Sequence, residues 1–236
     1  MNVDLETVRI KSLPDVAFYL ADFITEEEEE VLLQKITTAP RHRWTRLSNR
    51  RLQTWPSALT KSNALISSPL QSWLVSPVIS RFESLGVFAD APHKAPNHVL
   101  VNEYRPGQGI MPHEDGAAYF PLVATVSLGA PIVLDLYQKG QSRDSEDHRP
   151  QQRILQERRS LLVTTKKIYT DYLHGIAETT RDEGLAPDSI SNWDLLGEQD
   201  RYRCGWFERE TRISLTYRDV LRVAKVGNTM KFLGGR

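Results

Sequence analysis

Residues 97–115, NHVLVNEYRPGQGIMPHED, decide how this chain reads. Up to Tyr104 the run alternates apolar and polar positions with β-branched residues among them, the period-two signature of a strand. Leu100, Asn102 and Tyr104 then share one face and offer an amide and a phenol along it. At the far end His113 and Asp115 stand two residues apart, and an extended chain turns both side chains the same way, where they can converge on one ion. The pair alone is weak: six His and fourteen Asp among 236 residues give about 0.4 chance occurrences of His-x-Asp.

Further runs of the same kind follow: 121–129 (PLVATVSLG), 131–138 (PIVLDLYQ), 159–165 (RSLLVTT) and 211–220 (TRISLTYRDV). They predict a series of strands. Two polar stretches, 138–153 and 178–210, read as surface loops or partly disordered insertions, the second carrying Trp193, Cys204 and Trp206 as a possible flap facing substrate. In the last strand Arg212, Ser214, Thr216 and Arg218 share one face while Ile213, Leu215 and Tyr217 share the other, and the pattern leaves open which of them is interior. A guanidinium on an inner face suits a dicarboxylate, which it binds through paired hydrogen bonds that lysine cannot match.

A second histidine, His174 in DYLHGIAE, follows after several strands, the separation needed to bring the chain back to the same mouth of a β-roll. Taken alone it reads equally well as a turn residue before glycine. Together with His113 and Asp115 it makes two imidazoles and a carboxylate with open positions, the ligand set of non-haem Fe(II) oxygenases. The remaining histidines, His42, His93, His98 and His148, read as structural or exposed. Tyr119, Phe120 and Pro121 line a cleft or belong to the core.

Upstream the pattern is helical. Thr25 before Glu26 to Glu30 is a capping-box start with Glu28 at N3 and acidic charge on the positive end of the helix dipole; Pro40 marks the end. A second helix is expected from Pro69 to about Leu85, capped by Ser68 and kinked at Pro77. Between them lies a basic connector, residues 35–55, in which Arg41, Arg43, Arg46, Arg50 and Arg51 are interleaved with Trp44 and Trp55. It reads either as phosphate contacts with a stacking platform or as a solvated loop with Trp44 in the core. The acidic run, an alternative docking surface, is also placed to neutralise this patch. The whole reads as one α+β domain, mainly β: an antiparallel jelly-roll or barrel with N-terminal helices packed on one side.

Composition sets the outer bounds. Hydrophobic residues make up 40% and charged residues 25%, so disordered, collagen-like and rod-like classes are excluded. Thirty basic residues balance thirty acidic ones, so nucleic-acid binding would need a local patch. No apolar run reaches membrane-spanning length, and the charged N-terminus is unlike a signal peptide. One cysteine favours a reducing intracellular compartment.

The run NEYRPGQGIMPHED, then His174, then RISLTYR resembles the AlkB family of Fe(II)- and 2-oxoglutarate-dependent dioxygenases, with its Asn-x-Tyr-x-x-Gly, His-x-Asp, distal His and Arg-x-Asn-x-Thr-x-Arg motifs. NHVLVNEYRPGQGIMPHEDG with LHGIA downstream is similar, more narrowly, to the sixth eukaryotic AlkB-homologue subgroup. The resemblance covers residues 97–220 closely and 18–55 loosely. It implies a double-stranded β-helix (jelly-roll) core over about 96–222, preceded by a helical and lid region over about 1–95. It further implies Fe(II) held by His113, Asp115 and His174, with O2 and the co-substrate 2-oxoglutarate completing the reaction. Arg212, helped by Tyr104, would bind the distal carboxylate, while Asn102, Ser214 and Arg218 would border the co-substrate near the metal.

The implied reaction couples decarboxylation of 2-oxoglutarate to oxidation of a substrate C–H bond, and an N-methyl substrate would release formaldehyde. Methylated nucleic acid, RNA or DNA, is the implied substrate, met through the basic lid by Trp44, Arg50, Arg51 and Tyr119 in the nucleus or cytoplasm. Two features depart from the pattern. Ser214 stands where the family has Asn, and Gly116, Ala117 and Ala118 stand where base-repairing members carry acidic residues. Hence two alternatives remain: the same chemistry on a protein or small molecule, or a nucleic-acid-binding module with little turnover.

Overall fold

The computed structural model of the chain describes residues 3–140 and 149–225. Residues 141–148 of the first polar stretch, His148 among them, lie outside the described residues.

In chain order the strands are β1 (Ala17–Leu20), β2 (Thr45–Leu47), β3 (Arg50–Trp55), β4 (Leu65–Ile66), β5 (His98–Tyr104), β6 (Ile110–His113), β7 (Leu122–Leu128), β8 (Ile132–Gln138), β9 (Gln152–Gln156), β10 (Leu161–Thr165), β11 (Tyr172–Ile176), β12 (Arg181–Glu183), β13 (Trp206–Glu208), β14 (Arg212–Arg218) and β15 (Val223–Ala224). The α-helices are α1 (Glu26–Thr37), α2 (Ser72–Val75), α3 (Val78–Leu85), α4 (Lys166–Thr170) and α5 (Gln199–Tyr202). Seven strands form a large sheet in the order β1-β10-β7-β14-β5-β3-β2, and four form a smaller one in the order β6-β11-β8-β9. Every pairing within these two sheets is antiparallel. The sheets sandwich a cavity as a jelly roll does and do not close into a barrel.

Alternation along the central strands assigns the two faces. Val99, Val101, Ala124, Val126, Ile213, Leu215 and Tyr217 point outward into the main core, where Leu32 and Ile36 of α1, Leu74 of α2 and Val78, Ile79 and Phe82 of α3 cover them. The residues between them, Leu100, Asn102, Tyr104, Thr125, Arg212, Ser214, Thr216 and Arg218, line the cavity. The polar side of RISLTYR is therefore interior, and all seven of its residues are buried.

α1 starts as its sequence directs. The Thr25 hydroxyl accepts from the Glu28 amide at 3.2 Å, and the Glu28 carboxylate accepts from the Thr25 amide at 2.8 Å. Glu29, fully buried, accepts from the Gly129 amide at 2.7 Å and pairs with Arg158, while Glu28 pairs with Arg81 at 2.7 Å. Glu28 and Glu29 thus tie α1 to the body and pair with Arg81 and Arg158, not with the arginines of the connector.

Three expectations are corrected. The second helix is two helices, because Pro77 lacks an N–H and its ring drives Ser76 to an extended conformation (φ −105°, ψ 130°); α2 begins after Gln71, so Ser68 does not cap it. The basic connector is largely a hairpin, β2 and β3, which extends the large sheet through β3–β5 pairing; the backbone hydrogen bonds of that ladder override a polar, arginine-rich composition. The stretch 178–210 is a packed segment: Leu185, Ile190, Trp193, Leu196, Tyr202 and Phe207 join a second core with Val133, Ile154 and Leu162. None of its residues lines the central cavity; Trp193 is buried, and Cys204 and Trp206 are exposed away from it. β9 likewise takes up part of the stretch expected as a loop from 138 to 153. No described helix is long and apolar enough to cross a membrane.

Candidate functional site

The cavity between the sheets measures about 340 Å³. At one end β6 and β11 pair so that His113 lies directly opposite His174, with ring centroids 4.3 Å apart. Two glycines allow this approach. A Cβ on Gly109 would come within 2.3 Å of the Ile176 carbonyl oxygen, and one on Gly175 within 3.1 Å of the Ile110 carbonyl oxygen. β6 ends at His113, so Asp115 sits in the loop just beyond the strand rather than on it. The three side chains nevertheless converge, each offering a ligand atom within 4.8 Å of the others.

Electrostatics prepares these groups for a cation. His113 Nδ1 lies 2.9 Å from the Met111 carbonyl oxygen. A carbonyl only accepts, so Nδ1 carries the proton and Nε2 is free to ligate. Burial pushes the His174 imidazole down to about 4 against the opposing pull of Asp115, with His113 and Arg218 adding to the depression, so His174 is neutral near pH 7. Asp115 is oriented by Arg218, whose Nη2 and Nε donate to its two carboxylate oxygens at 2.5 and 3.3 Å. Two imidazoles and one carboxylate fit a divalent first-row cation and leave positions for exogenous ligands.

The other end of the cavity is built for an anion. Arg212, 2% exposed, donates from Nη2 to Ser127 Oγ at 2.8 Å and to Gln156 Oε1 at 3.1 Å, while its buried Nε has no hydrogen-bond partner. Burial pushes the guanidinium down to about 10. The described acids lining the cavity, Glu114 and Asp115, stand at the histidine end, so no described carboxylate offsets this charge. An unpaired buried cation beside an unsatisfied donor is a costly arrangement that a carboxylate ligand would relieve. Tyr104, paired opposite Arg212 across β5 and β14, completes this end with its ring 5.9 Å from the guanidinium.

Of the remaining candidates, Asn102, Ser214, Tyr119 and Arg50 line the cavity. Trp44 and Arg51 do not. Arg51 donates to both oxygens of Glu103, at 2.8 and 2.5 Å, and stacks 3.9 Å above Trp44, which packs against the main core. His93 pairs with Asp219 at 2.6 Å, and His98 is buried with Nε2 3.2 Å from the Ser57 carbonyl oxygen. Phe120 packs against the core. Three residues of the site do not stand out in the sequence: Ser127 and Gln156, which hold Arg212, and Tyr169, which lines the cavity. Ser127 shares the parity of Thr125 on a strand already expected; Gln156 and Tyr169 carry no such signal.

Residues 22–218 match the family described as the 2OG-Fe(II) oxygenase superfamily. The chain is 39% identical to the "Probable RNA/DNA demethylase ALKBH6" of Danio rerio over 228 residues, 94% of this chain and 93% of that one. Among solved structures, one described as OsALKBH1 superposes with a TM-score of 0.52 at 14% identity, over 86% of this chain and 96% of that one. An oxidoreductase of the 2OG-Fe(II) oxygenase family from Burkholderia pseudomallei gives 0.51 at 11% identity, over 88% of each chain. These two likenesses concern the fold.

Proposed function

The chain belongs to the 2OG-Fe(II) oxygenase superfamily, which works with Fe(II), 2-oxoglutarate and O2, and on that premise we propose that it oxidatively demethylates methylated nucleic acid, RNA or DNA, in the nucleus or cytoplasm. The observation that carries the reading is the placement of His113, Asp115 and His174 within ligand distance of one another in the same cavity as the unpaired Arg212. The substrate class rests on the likeness to the Danio rerio protein, whose name calls it a probable RNA/DNA demethylase.

When bound, the metal and co-substrate would supply the oxidising chemistry that hydroxylates a C–H bond, and a hydroxylated N-methyl group would leave as formaldehyde. His113 Nε2, the neutral His174 ring and Asp115 would hold the metal, and Arg218 keeps the Asp115 carboxylate aimed. Arg212 would bind the distal carboxylate of 2-oxoglutarate through Nε, with Ser127 and Gln156 fixing the guanidinium plane. Asn102 and Ser214, which line the cavity, would border the co-substrate. Tyr119 borders the cavity near the metal ligands, and Gly116, with nothing within 4 Å of where a Cβ would stand, leaves room for a flat ring there. Outside, Arg46, Arg51 and Arg105 border a groove along the β2–β3 hairpin where a phosphate backbone fits; Arg51 is already engaged with Glu103, which leaves Arg46 as the freer charge.

The test is formaldehyde release from a panel of methylated RNA and DNA oligonucleotides, with His113→Ala as control. Release by the wild type and none by the variant supports the reading. Succinate formed without formaldehyde from any oligonucleotide would move the substrate to another class.

A further inference from the structure

A row of three side chains crosses the large sheet on its cavity face. Arg212 of β14 lies opposite Tyr104 of β5. On the other side of β5 the register runs Leu52 to Asn102 and Arg51 to Glu103, so the next residue, Arg50, faces Tyr104 in turn. Arg50 and Leu52 line the cavity, whereas Arg51, of opposite parity, pairs with Glu103. Tyr104 is thus flanked by two guanidiniums. Burial raises its phenol pKa, and the charges of Arg212, Arg50 and Arg218 oppose that rise.

The two arginines share a second property. Arg50 Nε is shielded from solvent and makes no hydrogen bond, as is true of Arg212 Nε. Among the described residues no carboxylate lines this end of the cavity, so two like charges face one space without a described counter-ion. Two like charges facing one cavity repel each other, and an anion between them offsets that repulsion. Arg50 also borders the outer groove, where a phosphate is the competing ligand. A carboxylate inside the cavity, which both arginines line, would give the two charges a common counter-ion.

We propose that Arg50 is a second guanidinium for the distal carboxylate of the co-substrate, working with Arg212 across Tyr104, so that co-substrate binding is coupled to the β2–β3 hairpin. This rests on the reading of the cavity as a 2-oxoglutarate site. It takes Arg50 out of the nucleic-acid lid and assigns the hairpin a part in filling the cavity.

The experiment is calorimetric titration of the Mn(II)-loaded full chain with 2-oxoglutarate and, separately, with 2-oxobutyrate, which lacks the distal carboxylate. Wild type, Arg50→Gln and Arg50→Lys are compared, with urea unfolding to verify that each is folded. The expected result is a Kd for 2-oxoglutarate raised roughly 5- to 30-fold in Arg50→Gln, partial recovery in Arg50→Lys, and no change for 2-oxobutyrate. Hydrogen exchange of residues 45–51 should slow on adding 2-oxoglutarate to the wild type and not to Arg50→Gln. An unchanged 2-oxoglutarate Kd in Arg50→Gln, with weaker binding of an unmodified 20-nucleotide RNA, would overturn the assignment and return Arg50 to phosphate contact. Equal loss for both oxo acids would show a structural role and overturn it as well. A wild-type protein that binds no 2-oxoglutarate would instead overturn the reading of the cavity itself.

Discussion

Replacing Arg212 with lysine separates charge from geometry at the anion end of the cavity. The guanidinium has one nitrogen, Nη2, committed to Ser127 and Gln156, and one buried N–H, at Nε, with no partner. Lysine keeps the positive charge. Its shorter-reaching ammonium is drawn to the same two acceptors and cannot present a second, fixed donor to a carboxylate. The loss is one directed, charge-assisted hydrogen bond, about 1.5–3 kcal/mol, or roughly 10- to 150-fold in the Kd of 2-oxoglutarate. Calorimetry with Mn(II)-loaded Arg212→Lys measures the Kd, and urea unfolding verifies the fold. An unchanged Kd in a folded variant would refute the assignment of Nε to the co-substrate and place the anchor elsewhere.

Other consequences follow from the same structure. Gly109→Ala drives a Cβ to within 2.3 Å of the Ile176 carbonyl oxygen, so unfolding stability should drop by about 1–3 kcal/mol and metal affinity should fall as β6 moves off β11; urea melts and Mn(II) titration read both. His98 is held near 4 by burial first and by Arg218 second. Its neutral form is the one the fold accommodates, so its contribution to stability is fully present above pH 6.5. That contribution declines by about 1.4 kcal/mol per pH unit as pH falls toward 4. Between pH 7 and 4.5 the wild type should therefore lose more stability than His98→Gln, and parallel pH profiles would contradict this. His113→Ala should abolish succinate formation while leaving the circular dichroism spectrum unchanged, because His113 is a partly exposed side chain at a strand end.

How much of this was legible in the sequence depends on the range of the interaction that decides each element. Strands β5, β7, β8, β10 and β14 have period-two runs rich in β-branched residues, so their local pattern and their tertiary role agree. The choice of inner face in RISLTYR was open in the sequence because both faces are buried: one is covered by α1 to α3, and the other looks into a polar cavity. The hairpin of β2 and β3 was invisible because Arg50, Arg51 and Gln53 look like loop residues; their pairing with β5 and the ion pair from Arg51 to Glu103 turn them into sheet. Trp193, Tyr202 and Phe207 were read inside a polar insertion, yet each is a core anchor whose spacing follows neither strand nor helix period. Within the site, His113 and Asp115 were visible as neighbours. His174 became a partner through strand pairing, which no local pattern reports.

The central claim is that His113, Asp115 and His174 form one metal site across the cavity from Arg212. Anomalous diffraction from crystals grown with Mn(II) and 2-oxoglutarate tests it most directly. A single strong peak within bonding distance of His113 Nε2, His174 and Asp115, with the co-substrate density running to Arg212, is the predicted result. A peak held by other residues, or co-substrate density that leaves Arg212 unpaired, would contradict it.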